Sequence, residues 1–268
     1  MTSCMFADLA AAGKPLSSIK VVDPHLHNSR VSHFFSRFEN GADMLASMDR
    51  IGINYGVLSD LWSVEEQWNS FDKLCDFCNL APGRFYAYSS PHPDWGDFYT
   101  NLSRQCANPL VAGIKLHPVV HEKPFDCKQY NFACEVGAEH GIPLLFHTWG
   151  VADIDAISAL ADRYPKTNFL AGHSGGEAAA VAYATKMSAL RDNLYLDTAC
   201  SFVWQGAIEY MVRIAGARKV LYGSDAYWNS MEVAIGRVLF AEISEEEKTM
   251  ILGENALRLY KRIKPADV

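Results

Sequence analysis

IKVVDPHLH, residues 19–27, is the stretch on which the reading of this 268-residue chain turns. It opens as a β-branched apolar run and ends on two histidines separated by a leucine. In an extended chain residues i and i+2 point the same way, so His25 and His27 share one face while Leu26 takes the other. An open doubly wound sheet would carry a glycine-rich phosphate loop after its first strand, and here the strand ends in ProHisLeuHis instead.

Seven further runs of the same kind follow: 55–60, 85–93, 111–118, 143–149, 168–176, 194–199 and 219–226. Their spacing leaves room each time for a strand, a helix of about three turns and two loops, which predicts parallel strands joined by crossover helices. Between the runs, ADMLASMDRIG, FDKLCDFCNL, FDCKQYNFACEVGAEHG, VADIDAISALADRY and EAAAVAYATKMSAL carry apolar residues at helical spacing. Gly52 and Gly141 sit where two of these helices should stop. Ser244 and Glu247 read as a capping box that opens a last helix over about 244–262, and MFADLAAAG reads as a short helix before the first strand. The expectation is an α/β (β/α)8 TIM barrel, one domain over 1–268, with its strands within about 19–226.

Composition narrows the partners. The net charge of -7 comes from scattered carboxylates, and no Lys/Arg stripe is present that could neutralise phosphates, so neither nucleic acid nor an anionic membrane is expected. No basic segment followed by an apolar run opens the chain, and no run approaches a bilayer span, which reads as a cytoplasmic protein that could form homo-oligomers. Seven dispersed cysteines read as reduced thiols, and the Cys75–Cys78 pair as ordinary helix packing rather than half of a zinc site.

Polar residues able to bind metal fall at the C-terminal ends of five predicted strands, where a barrel builds its active site. They are His25 and His27, then Lys115 with His117, then His147, His173 and Asp225. Imidazoles and a carboxylate together make a mixed nitrogen and oxygen site suited to Zn, Mn, Fe or Ni.

VDPHLH, GIKLHP, LLFHTW, AGHSGG and LYGSDA, in that order, resemble the amidohydrolase superfamily. They are most similar to the amidohydrolase-related (amidohydrolase 2) branch that also contains aromatic-acid and aminocarboxymuconate-semialdehyde decarboxylases. The resemblance spans roughly residues 19–260 and includes the closing GENALRLY. It implies that His25, His27 and His147 bind a divalent metal, zinc first, and that Asp225 touches the metal and handles the proton of a bound water. His173 would be a ligand in a two-metal site or a general acid/base in a one-metal site. Lys115 would bridge two ions if carboxylated, or stay free to pair with a substrate carboxylate.

The function expected first is therefore hydrolysis of an amide, ester or lactone bond of a small molecule by metal-activated hydroxide. The alternative is a metal-dependent non-oxidative decarboxylase or a hydratase acting on a small carboxylic acid, with Lys115, Arg30 and Arg37 as candidate cations. A barrel that binds without catalysis is the third reading. His117 and Trp149 are candidate substrate contacts, and Trp62, Phe202 and Trp204 could wall the pocket. His92 reads as part of a rigid Pro-His-Pro turn, His33 and His121 as loop residues, and His140 as a helix-end cation. The SerGlyGly of 174–176 could offer backbone N–H groups to an anion.

Overall fold

A computed structural model describes residues 5–30, 34–60, 70–199 and 204–265 of the chain. Eight parallel strands follow one another around a single sheet in sequence order: β1 (Val21–His27), β2 (Ile53–Ser59), β3 (Phe85–Ser89), β4 (Val111–Leu116), β5 (Leu144–Trp149), β6 (Phe169–Gly175), β7 (Leu194–Asp197) and β8 (Val220–Leu221). This is the expected (β/α)8 barrel. The ladder stops at β8, and the ring is completed by single contacts: Asp225 N–H donates to His25 O at 2.9 Å, His27 N–H to Ala226 O at 2.5 Å, and Ser224 N–H to the Asp23 carboxylate at 3.1 Å.

The helices are α1 (Met5–Ala11), α2 (Gly41–Ile51), α3 (Ser70–Cys78), α4 (Phe98–Ala107), α5 (Pro118–His121), α6 (Lys128–His140), α7 (Val151–Arg163), α8 (Ala178–Ala189), α9 (Ala207–Ala215), α10 (Met231–Leu239), α11 (Glu245–Thr249) and α12 (Asn255–Leu259). Their ends follow side-chain chemistry. Asn40 accepts from Ala42 and Asp43 N–H to open α2, and Gly52 and Gly141 close α2 and α6 in the left-handed conformation their missing Cβ allows. The capping box joins Ser244 to Glu247 in both directions. The C-terminal helix expected over 244–262 runs without a break over 245–259, with a π-turn at Met250–Glu254 between α11 and α12. Cys75 and Cys78 lie in α3, with Cys78 buried and both thiols free.

Two apolar layers divide the molecule. The larger fills the space between sheet and helices. The smaller is the barrel interior, with inward residues from every strand, such as Val22, Val57, Tyr88, Leu145, Tyr195 and Leu221. Ala256, Leu259, Tyr260 and Ile263 join this inner layer, so the C-terminal segment stoppers the end of the barrel opposite the histidines. Tyr88 Oη lies 2.6 Å from Tyr260 Oη and donates to Pro24 O at 2.6 Å, a polar link from the stopper to β1.

The π-turn packs Gly253 so tightly on the start of β1 that a Cβ there would meet Lys20 O at 1.7 Å, whereas Gly236 in α10 has nothing within 4 Å. Gly253→Ala should destabilise the fold by about 1–3 kcal/mol or more. Gly236→Ala should stabilise it by about 0.5–1 kcal/mol, because alanine loses less backbone entropy in a helix. Urea unfolding of the two variants checks this pair, and equal effects would contradict it.

Candidate active site

Strand parity explains which side chains reach the barrel mouth. On β5 and β7 a regular pleat carries Leu145 and Tyr195 inward and with them His147 and Asp197. On β1 the inner residue Val22 and the cluster histidine His25 are three apart, and a register irregularity between Asp23 and Leu26 absorbs the odd residue. Leu26 then joins the outer layer while His25 and His27 share the inner side, as the alternation predicts. On β6 a regular pleat would send His173 outward with Phe169 and Ala171. His173 and Ser174 instead take φ of 63° and 48°, and this left-handed step brings the imidazole inward, 4.8 Å between ring centres from His25. Asp225 also has a positive φ, 61°. Such backbone is uncommon for residues with a Cβ and gathers at functional sites.

The polar groups form one network. His25 Nδ1 lies 2.6 Å from Asp197 Oδ2, and His25 Nε2 lies 3.1 Å from Lys115 Nζ and 3.5 Å from Asp225 Oδ1. His27 Nε2 lies 3.0 Å from Asp225 Oδ1, and its Nδ1 is 3.0 Å from Ser59 Oγ. Asn229 donates to Asp225 Oδ2 at 3.0 Å. His173 Nδ1 donates to Ala199 O at 2.8 Å, and its Nε2 lies 3.1 Å from His147 Nδ1. His147 stacks on His117 at 3.8 Å, and Trp228 covers the outer face of His27 at 3.8 Å.

Burial sets the charges. It holds the imidazoles of His25, His117 and His147 well below the ordinary histidine range and lowers His27 and His173, so these rings are neutral at pH 7. Burial also pulls Lys115 down to about 8 against the opposing pull of Asp225 and Asp197, and pushes Asp197 up to about 6. For Asp225 burial is outweighed by the His27 hydrogen bond and the surrounding histidines, and its pKa is lowered. Neutral lone pairs and an ionised carboxylate are the donor set a divalent cation needs.

Among the described residues, two groups have ligand atoms that all lie within 4.8 Å of one another: His25, His27 and Asp225, and His25, His173 and Asp197. His147 belongs to neither and meets the cluster through His173. Asp197 escaped the sequence reading, although its place two residues after inward Tyr195 in LYLD was the available signal. Of the candidate cations, Arg30 donates to Phe38 O and Arg37 pairs with Ser47 and Glu232, which leaves Lys115 as the one of the three in contact with the cluster. Trp149 stacks beside His147 at 6.2 Å, and Trp204 is 44% exposed. His92 packs on Trp95 and, edge to face, on His121, and His140 meets Arg262. His33, Trp62 and Phe202 lie outside the described residues.

The amidohydrolase family model matches residues 22–262. No curated protein sequence matches the chain. Among solved structures, a 5-carboxyvanillate decarboxylase from Sphingomonas paucimobilis is similar with a TM-score of 0.70 at 15% identity, covering 91% of this chain and 99% of that one. A 2,6-dihydroxybenzoate decarboxylase from Rhizobium aligns with a TM-score of 0.68 at 17% identity, over 91% and 99%. A 5-carboxyvanillate decarboxylase from Novosphingobium aromaticivorans, complexed with manganese and 4-hydroxy-3-methoxy-5-nitrobenzoic acid, reaches 0.72 at 15% identity, over 91% and 96%. These likenesses correct the function expected first from the sequence. The neighbours are mostly decarboxylases of aromatic acids, so hydrolysis of an amide, ester or lactone gives way to the alternative named beside it. Zinc, expected first, also has no specific support, since the metal named with these neighbours is manganese. No described helix is long and apolar enough to cross a membrane.

His121 beside the mouth offers a pH test. Burial holds it at about 3, with its Nδ1 2.7 Å from Tyr130 Oη. A pKa depressed in the folded state contributes stability that is complete above the unfolded value, about 6.5, and is lost as pH falls towards about 3. Between pH 6 and 4 the unfolding free energy should fall about 1.4 kcal/mol less per pH unit in His121→Gln than in the wild type. Urea titrations at several pH values measure the slope, and parallel slopes would remove His121 from the account.

Proposed function

The chain belongs to the amidohydrolase family, and from that premise we propose that it is a metal-dependent, non-oxidative decarboxylase of a small hydroxylated aromatic acid. The observation that carries the reading is a buried cation beside a buried ligand set: Lys115 Nζ lies 3.1 Å from His25 Nε2, next to the His25, His27 and Asp225 group. An aromatic carboxylate needs such a cation to enter a pocket of low polarity.

His25, His27 and Asp225 would hold a divalent ion, and their neutral imidazoles and ionised carboxylate fit one. When bound, the ion supplies Lewis acidity to substrate oxygens. Manganese is the first to test, because it accompanies an aromatic acid in the Novosphingobium neighbour. Lys115 retains its proton at neutral pH and pairs with the substrate carboxylate. Loss of CO2 breaks the bond between the ring and the carboxyl carbon and leaves its electron pair on the ring carbon, so one proton must be delivered there. Asp225, ionised, takes the proton of a neighbouring ring hydroxyl and returns it to that carbon. The stacked His147 and His117 and the flanking Trp149 offer flat walls to an aromatic ring.

The test is CO2 release and phenol formation from 2,6-dihydroxybenzoate, 5-carboxyvanillate and related hydroxybenzoates by manganese-loaded protein. Turnover should vanish with a chelator and return with the metal. Cleavage of simple esters or amides with no CO2 from any hydroxylated aromatic acid would sink the proposal. Asp225→Asn should lower kcat by roughly 10²–10⁴. Lys115→Met should act mainly on KM, raising it about tenfold or more through loss of a charged contact. A Lys115→Met enzyme with unchanged KM would free that lysine from its role.

A further inference from the structure

We propose that Asp197 is a positioning residue that locks His25 in one tautomer, Nδ1 protonated and Nε2 bare, and so presents a lone pair to the centre of the mouth. The argument is one of donors and acceptors. Asp197 Oδ2 stands 2.6 Å from His25 Nδ1, and an ionised carboxylate can only accept. Lys115 Nζ stands 3.1 Å from His25 Nε2, and an ammonium can only donate. Both partners therefore select the same tautomer. His27 is held the other way round in this ion-free cluster: the ionised Asp225 carboxylate 3.0 Å from its Nε2 can only accept, and the Ser59 hydroxyl turns to suit its Nδ1.

The same carboxylate reaches the second imidazole through the backbone. Asp197 Oδ2 also accepts from His173 N–H at 3.1 Å, and Oδ1 accepts from Ala199 N–H at 2.9 Å. Ala199 O in turn takes the proton of His173 Nδ1, which leaves His173 Nε2 bare to accept from His147 Nδ1 and leaves His147 Nε2 bare as well. One side chain thus organises the lone pairs of three histidines. Room for it is made by Gly223, where a Cβ would lie 2.3 Å from Asp197 Oδ1 and 3.0 Å from His25 Cβ.

The inference rests on the metal site proposed above, yet its first readout needs neither metal nor substrate. In protein labelled with 15N at histidine and kept free of metal, long-range proton–nitrogen correlation should show His25 protonated at Nδ1, with that proton exchanging slowly. The signal is assigned by its loss in His25→Asn. Asp197→Asn offers one acceptor where three donors converge, so it should lose the single tautomer and bind manganese about 10–100-fold more weakly, with unfolding temperature and circular dichroism close to wild type. Gly223→Ala should produce the same pair of losses by displacing the carboxylate. His25 protonated at Nε2 in the wild type would overturn the proposal. So would manganese affinity within about twofold of wild type in Asp197→Asn, or a second bound equivalent of metal that Asp197→Asn removes, since Asp197 would then itself be a ligand. Should neither variant fold, the wild-type tautomer decides alone. Absence of decarboxylation, with the tautomer as described, would refute the proposed activity and leave the role of Asp197 standing.

Discussion

The seam between β8 and β1 is the constraint on which the remaining architecture depends. β8 is two residues long and makes its ladder only with β7, so the ring is completed by a few hydrogen bonds between 224–226 and Asp23, His25 and His27. Those same residues flank the candidate ligands. His25 receives the Asp225 N–H on its carbonyl while its ring faces the Asp225 carboxylate, so barrel closure and site assembly are one event. The Asp23 carboxylate, pushed up to about 7 by burial, binds both the His25 and Ser224 N–H groups and fixes the bend at which β1 changes parity. A barrel sealed by a full ladder here would hold His25 in a regular pleat, on the wrong side of the strand from Val22's viewpoint.

Collecting so many ionisable groups in a dry cavity is costly for any fold, and the chain limits the cost by keeping the imidazoles neutral. What charge remains is one cation, Lys115, against two carboxylates, Asp225 and Asp197, an excess of negative charge that a divalent ion would offset. The arrangement is poised for a cation and for an anionic substrate, since either finds its complement already desolvated. Strain at His173 and Asp225 adds to the stability given up at the mouth, and the two packed layers beneath must offset it.

Much of this was legible in the sequence. Eight apolar runs and the helical periodicity between several of them predicted the barrel, because burial in a (β/α)8 fold imposes those patterns directly. The shared face of His25 and His27 followed from a two-residue period. What stayed hidden depended on departures from regular geometry. His173 was picked out as a strand-end histidine, but only the left-handed step at 173–174 explains why it faces inward. The π-turn at Met250–Glu254 was missed because a π-turn leaves no mark in an amphipathic pattern. The order of likelihood between hydrolysis and decarboxylation was also beyond reach, since both draw on the same imidazoles and carboxylate. Asp197 is the exception, overlooked even though plain alternation from Tyr195 points it inward.

The stopper formed by Ala256, Leu259, Tyr260 and Ile263 bears on how the molecule is made. Tyr260 contacts Tyr88, which holds Pro24, and Gly253 lies against Lys20, so the first strand is secured by the last helix. During synthesis the early strands leave the ribosome long before these partners exist. β1 then waits, with its apolar and histidine faces uncovered, for more than two hundred residues of chain to follow. Contacts so distant in sequence are slow to form and leave apolar surface exposed on the way, so closure of the barrel waits on that one late-arriving segment.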